Sequence, residues 1–362
     1  MKHRNKFIIY VLMLTLILSG CEEEVIIEKE VVYTNVTIPK EIYKSDERYY
    51  YSHITSDEYK EIYNQIYDTL TEKSDCIELK ISDASTLEKI FRMVIFDNVD
   101  LFYVESFKYI QKDEETIKFM PIYYMSIEEI EQAEYEIYSY TQKILNNITY
   151  DMDTFTKEKI IYDFIVSHTE YDISSEYGQS IYSVVQNKSV CAGYSFMFKY
   201  LCEKVDIPCV VITGSTKEGI SHAWNAVYLG NNWYMVDCVN AKDENGEVTY
   251  KFFNVTREQI LRSYNINNLV EVPECTSILE EYYYKNGLYF EQTDIGRFSD
   301  LIHDKQSKSE NELVVRCADS NVYDDMEQYL LTDGNLLNII GNDVSVTCNF
   351  DRELLLIFIK WK

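Results

Sequence analysis

Cys191, His222 and Asp237 bring a thiol, an imidazole and a carboxylate into one chain in the order of an activated nucleophile. In such a set the sulfur attacks, the imidazole moves the proton and the carboxylate orients the imidazole. Each residue alone has a duller reading: a buried cysteine, a satisfied structural histidine, an aspartate at a turn or cap. The joint pattern, with spacings of 31 and 15 residues, carries the chemical reading. So do the flanking residues, Val190-Cys191-Ala192-Gly193-Tyr194, Ser221-His222-Ala223-Trp224-Asn225 and Trp233-Tyr234-Met235-Val236-Asp237. His53, His168 and His303 have no such company.

The surrounding residues predict the elements that must position these groups. After Cys191, an apolar stripe of Tyr194, Met197, Phe198, Leu201 and Val205 reads as a helix, and Pro208 prevents its continuation. Cys191 then stands at a helix N-terminus, where the positive end of the dipole favours thiolate over thiol. Gly193 lets a backbone or a substrate approach the first turn. Cys209 to Thr213 reads as a buried strand, and His222 to Leu229 alternates, with His222, Trp224, Ala226 and Tyr228 on one face. Gly230-Asn231-Asn232 returns the chain into Trp233 to Asp237. A connection taking in Leu229 to Asn232 sets Trp224 opposite Asp237 and His222 diagonal to it, with roughly 7–8 Å between the two backbones. A three-residue loop would turn Asp237 to the wrong face.

These stretches resemble the transglutaminase-like superfamily: a cysteine followed by a small residue, Gly and Tyr; then His-Ala-Trp-Asn; then a Trp a few residues before an Asp. The approach Lys159-Ile160-Ile161-Tyr162-Asp163 through Tyr171-Asp172 and Ser180-Ile181-Tyr182-Ser183 is similar to bacterial members. The resemblance covers roughly residues 150 to 262. It implies an α+β, papain-like core in which a nucleophile helix packs on an antiparallel sheet carrying the His and Asp. It also implies acyl transfer by Cys191, His222 and Asp237, with Trp224, Gly193 and Tyr194 as substrate contacts. The Cys191 backbone N–H is one expected oxyanion donor, and Gln186 and Tyr171 are candidates for the second. One departure is Cys238, where members often carry threonine; that position is expected to pack behind the site.

The ends of the chain point to an envelope address. Lys2, Arg4 and Lys6 precede an apolar run from Phe7 to Leu18, too short for a membrane span, as in a secretory signal over residues 1–20. Leu18-Ser19-Gly20-Cys21 resembles the bacterial lipobox, which implies lipidation of Cys21 and an extracytoplasmic protein anchored to the bacterial cell membrane. Residues 21–45 read as a charged tether, 46–147 as an N-terminal α+β domain, 148–262 as the catalytic domain and 263–362 as a β-rich α+β region. Within the last of these, Asn286-Gly287 between Tyr282-Tyr283-Tyr284 and Leu288-Tyr289-Phe290 signals a hairpin.

Composition narrows the function. With 34 basic against 61 acidic residues and a net charge of −27, the chain is not expected to bind nucleic acid, whose phosphates need the opposite sign. Nine cysteines without a Cys-x-x-Cys pair argue against a zinc ribbon, and the chemistry requires neither metal nor other cofactor. Asp243 to Glu247 lacks the ligand alternation of a calcium loop. The 33 tyrosines could form a glycan-stacking surface, but at helical spacing they read as core with a wet hydroxyl. The expected function is a surface-anchored thiol enzyme acting on peptide, protein or glutamine-type amides through a thioester. Hydrolysis is favoured over protein cross-linking because water abounds outside the cell. A non-catalytic adhesin or glycan-binding protein on the same fold is the alternative, and the cell wall is a candidate contact.

Overall fold

The computed structural model describes residues 48–239, 241–243, 245–341 and 344–362. The signal segment, Cys21 and the tether lie outside the described residues. The fold is α+β, with mainly antiparallel sheets flanked by helices.

The chain first builds a small layer of helix and sheet. Helix α1 (Asp57–Thr71) opens at Ser56, whose hydroxyl accepts the Tyr59 N–H. Strand β1 (Ile77–Leu79) leads to helix α2 (Ala84–Asp97), capped by the Asp83 carboxylate at the Ser85 and Thr86 N–H groups. Strands β2 (Val104–Gln111) and β3 (Ile117–Tyr123) then complete a sheet of order β1-β3-β2, so β2 is an edge. Ser126 and Glu129 form the capping box of helix α3 (Ile127–Leu145), as their spacing predicts.

Helix α4 (Thr154–His168) and the short helix α5 (Ile181–Val185) approach helix α6 (Cys191–Glu203), which Cys191 opens. Helix α6 was expected to bury one stripe. It buries nearly its whole circumference, from Gly193 through Lys199 and on through Leu201 and Cys202. The reason is that α4 and α5 cover one side and a sheet covers the other. That sheet comprises β4 (Cys209–Thr216), β5 (Ser221–Leu229), β6 (Asn232–Val236) and β7 (Tyr264–Ile266) in the order β6-β5-β4-β7.

The N-terminal layer and this α-on-β unit share one hydrophobic cluster, which runs from Tyr50, Tyr63 and Val94 to Met197, Val211 and Trp224. Polar bolts add register. The Tyr50 hydroxyl donates to the Val211 carbonyl at 2.5 Å, and the buried Asp97 carboxylate accepts the Tyr50 and Tyr51 N–H groups and the Tyr63 hydroxyl. The buried tyrosines, among them Tyr63, Tyr162, Tyr234 and Tyr283, are core residues.

The C-terminal region has a second cluster of its own, centred on Phe298, Val315, Tyr323 and Ile357. It combines strand β8 (Tyr289–Phe290), helix α7 (Ile295–Ser307), β9 (Glu312–Cys317), helix α8 (Ser320–Glu327), β10 (Val346–Asp351) and β11 (Leu356–Trp361). The hairpin expected at Asn286-Gly287 does not form. Tyr282–Lys285 is instead a short helix, because the Glu281 carboxylate caps the Tyr284 N–H at 2.8 Å and Tyr283 is buried. Gly287, at φ +70°, ends that turn, and β8 pairs parallel to β9 rather than with a hairpin neighbour.

Candidate active site

Cys191 opens α6 directly after Val190, which makes no side-chain cap. The thiol is therefore set among the first N–H groups of a thirteen-residue helix. Gly193 is needed in the same turn. A Cβ there would lie 2.1 Å from Ser189 Oγ, 2.6 Å from Ser183 Oγ and 2.8 Å from the Gly178 carbonyl. The glycine thus lets a serine-lined loop close against the back of the helix start, and it faces away from any substrate.

The hairpin that carries the other two groups satisfies the register condition. Gly230 and Asn231, with φ of +52° and +73°, make a two-residue turn, and Leu229 pairs with Asn232 and Asn225 with Val236. Asp237 follows in that register on the face that carries His222. His222 Nε2 lies 2.9 Å from Asp237 Oδ2. The Cys191 sulfur stands close enough to the ring to raise its basicity. With Nε2 turned to the carboxylate, Nδ1 is the nitrogen left for the thiol. Asn225 ties the two halves together, its amide donating to the Ser195 carbonyl of α6 at 3.0 Å.

Asp237 is buried and takes three donors. These are His222, the Val239 N–H on Oδ1 at 2.8 Å and the Tyr264 hydroxyl on Oδ2 at 2.6 Å. Burial opposes its charge, but His222, Tyr264 and Val239 outweigh that, and its carboxyl is held below the usual carboxylate range. Burial likewise opposes charge on His222, yet the Asp237 carboxylate and the Cys191 sulfur raise it to about 10.

The remaining expected site residues part company. Trp224 is fully buried and Tyr194 nearly so, which removes both, with Gly193, from direct substrate contact. Trp224 instead packs beside His222, ring centroids 5.9 Å apart. Gly214 makes room for it, since a Cβ there would meet its ring at 2.7 Å. Gln186 ends α5 and points its amide at Glu136, 3.4 Å away, so it is no oxyanion donor. Tyr171 is half exposed and close enough to Cys191 for the sulfur's charge to raise its hydroxyl, second to burial. Cys238 is buried behind the site, as expected.

Cys191 and His222 open into a cleft of about 920 Å³. Its walls include Gln179 before α5, Phe96 and Arg92 of α2, and Val104 and Glu105 of β2. Sequence reasoning missed Tyr264 and Gln179. Tyr264 stands 27 residues beyond Asp237, on a strand whose short alternation names no partner. Gln179 sits in a polar loop with no local pattern. Among the described residues no His, Cys, Asp and Glu cluster could hold a metal ion, and no helix is long and apolar enough to cross a membrane.

Comparison with known proteins bears on the same stretch of chain. Residues 138–238 match the transglutaminase-like superfamily. Kyphoscoliosis peptidase of Mus musculus is 24% identical over 147 residues, covering 34% of this chain and 22% of that protein. The Homo sapiens kyphoscoliosis peptidase is 28% identical over 111 residues, covering 26% of this chain and 17% of that protein. The chain thus spans about a fifth of the length of these curated relatives. A solved structure titled as a TGase overlaps 47% of this chain and 52% of its own, at 15% identity and a TM-score of 0.29. Over residues 138–238 this chain carries a domain of the transglutaminase-like superfamily.

Proposed function

We propose that the protein is a thiol acyl-transfer enzyme with Cys191 as nucleophile, His222 as acid and base, and Asp237 as the group that orients His222. The observation that carries this reading is the 2.9 Å bond between His222 Nε2 and Asp237 Oδ2, with Cys191 close enough to raise the imidazole and lining the same cleft.

The reaction follows from those positions. Cys191 Sγ attacks the carbonyl carbon of an amide, and charge develops on the carbonyl oxygen. The Cys191 N–H and the amide of Gln179, both on the cleft wall, are the proposed oxyanion donors. The C–N bond breaks as His222 gives its proton to the departing amine, leaving a thioester on Cys191. His222 then takes a proton from water, and the resulting attack breaks the C–S bond, releases an acid and restores the sulfur. A lysine amine in place of water gives a cross-link by the same path. Hydrolysis of peptide amides is the favoured outcome. Residues 148–262 supply the chemistry, 46–147 one wall of the cleft, and a lipid on Cys21 holds the protein at the outer face of the cell membrane.

The test is alkylation of residues 22–362 with an iodoacetamide probe, with the modified cysteine mapped. Labelling should concentrate at Cys191 and fall at least tenfold in His222→Ala. Equal labelling of all the thiols, or labelling at Cys191 that ignores the histidine, overturns the reading. A glutamine peptide offered with a primary amine separates hydrolysis from transamidation.

A further inference from the structure

Strand β2 starts in the wall of the cleft and runs out of it along a free sheet edge. Val104 and Glu105 line the same space as Cys191 and His222, and β2 has no strand partner beyond β3 among the described residues. The phase of its ladder says which groups face outward. The Lys112 N–H bonds the Thr116 carbonyl at 2.9 Å. Directly opposed residues alternate between bonded and unbonded pairs, so Ser106, Lys108 and Ile110 bond to β3. The main-chain N–H and C=O groups of Phe107, Tyr109 and Gln111 then point away from the sheet. Pro121 agrees with this phase: it lies opposite Phe107, where β3 gives no bond to β2. A register shift between Val104 and Ser106 ends the regular ladder where the cleft begins.

Proteins ordinarily blunt a free edge with charge, proline or a covering segment. This one carries Lys108 as an exposed charge, and beside it still presents Tyr109 and Ile110, each about half exposed (49% and 51%). We infer that the outward edge of β2, residues 105–111, docks an extended stretch of polypeptide substrate as an added strand, and that the cleft takes the amide at the end of that stretch. The inference rests on the thiol reading of the site and names its substrate class: unfolded or extended polypeptide, rather than a small amide. Seven residues of strand span roughly 20 Å, enough to hold several residues on one side of the reacting bond.

Proline at an outward-facing position of an edge strand removes one docking donor without breaking the pairing to β3. Tyr109→Pro is therefore compared with Tyr109→Ala, which loses the same ring but keeps the N–H. With unfolded, fluorescein-labelled casein as substrate, Tyr109→Pro should lower kcat/KM at least tenfold below Tyr109→Ala. Both should match the unsubstituted protein on benzyloxycarbonyl-Gln-Gly, which is too short to reach the edge. In the Cys191→Ala protein, casein should slow hydrogen exchange at the amides of Phe107, Tyr109 and Gln111. Equal casein kinetics for the two variants, or no added protection at those amides, overturns the docking edge even where the thiol chemistry stands. Protection at the edge without any Cys191-dependent turnover of casein sinks the thiol reading and leaves the edge as a binding site.

Discussion

The Tyr264 hydroxyl and the His222 imidazole share one oxygen of Asp237, at 2.6 Å and 2.9 Å. Tyr264 also packs against the imidazole, ring centroids 4.8 Å apart. A residue on the far edge of the sheet therefore fixes both the carboxylate and the ring that the carboxylate aims. Tyr264→Phe keeps the packing and removes one donor, worth about 1.5–3 kcal/mol to a charged acceptor. The expected outcome is a roughly tenfold fall in the alkylation rate at Cys191 with a melting temperature lowered by only a few degrees. An unchanged rate across pH 6 to 9 would assign Tyr264 to packing alone.

His222 gives stability a pH dependence of definite sign. Its ordinary value is 6.5, and in the fold it is raised to about 10. A base raised in the native state contributes stability that is fully present below 6.5 and is lost as pH climbs through about 10. Urea midpoints should therefore decline between pH 6.5 and 10, and His222→Gln should flatten that decline. A slope that survives the substitution would place its origin elsewhere.

Glu158 predicts a slope in a lower window. It is wholly buried in α4, and its Oε2 accepts the Asn254 amide at 2.7 Å. Burial raises it to about 8 against that hydrogen bond, with Glu280 adding to the rise. The native state keeps the proton after the unfolded chain has released it. Stability is thus fully present below 4.5 and falls as pH rises toward 8. Glu158→Gln keeps an acceptor for Asn254 and should remove the fall, as melting temperatures between pH 5 and 8 will report.

Gly193→Ala tests the tight closure behind the nucleophile. The added methyl would stand 2.8 Å from the Gly178 carbonyl, a backbone atom that no rotamer change can move. Overpacking of this kind costs about 1–3 kcal/mol. The measurement is the urea midpoint together with Cys191 alkylation, and both should fall. A variant as stable as the parent would show that the serine loop is free to retreat.

Much of this arrangement was legible along the chain because its signals are local. The stripe after Cys191 and Pro208 marked the nucleophile helix. The alternation from His222 showed which residues share its face, but Gly230-Asn231-Asn232 left two registers open, and the two-residue turn of the fold chose the one that delivers Asp237 to that face. The second hairpin failed for an equally local reason, since a Glu281 cap and a buried Tyr283 favoured a helical turn over the extended form that Asn-Gly suggested.

What the sequence alone determined was the three candidate groups and the elements that carry them, since helix start and strand phase depend on neighbours a few residues away. Only the tertiary structure decided which side chains surround them. It buried Trp224 and Tyr194, sent Gln186 to Glu136, brought Tyr264 onto Asp237 and placed β2 at the cleft. Those outcomes depend on how distant surfaces pack and close out water, and no spacing within the chain records that.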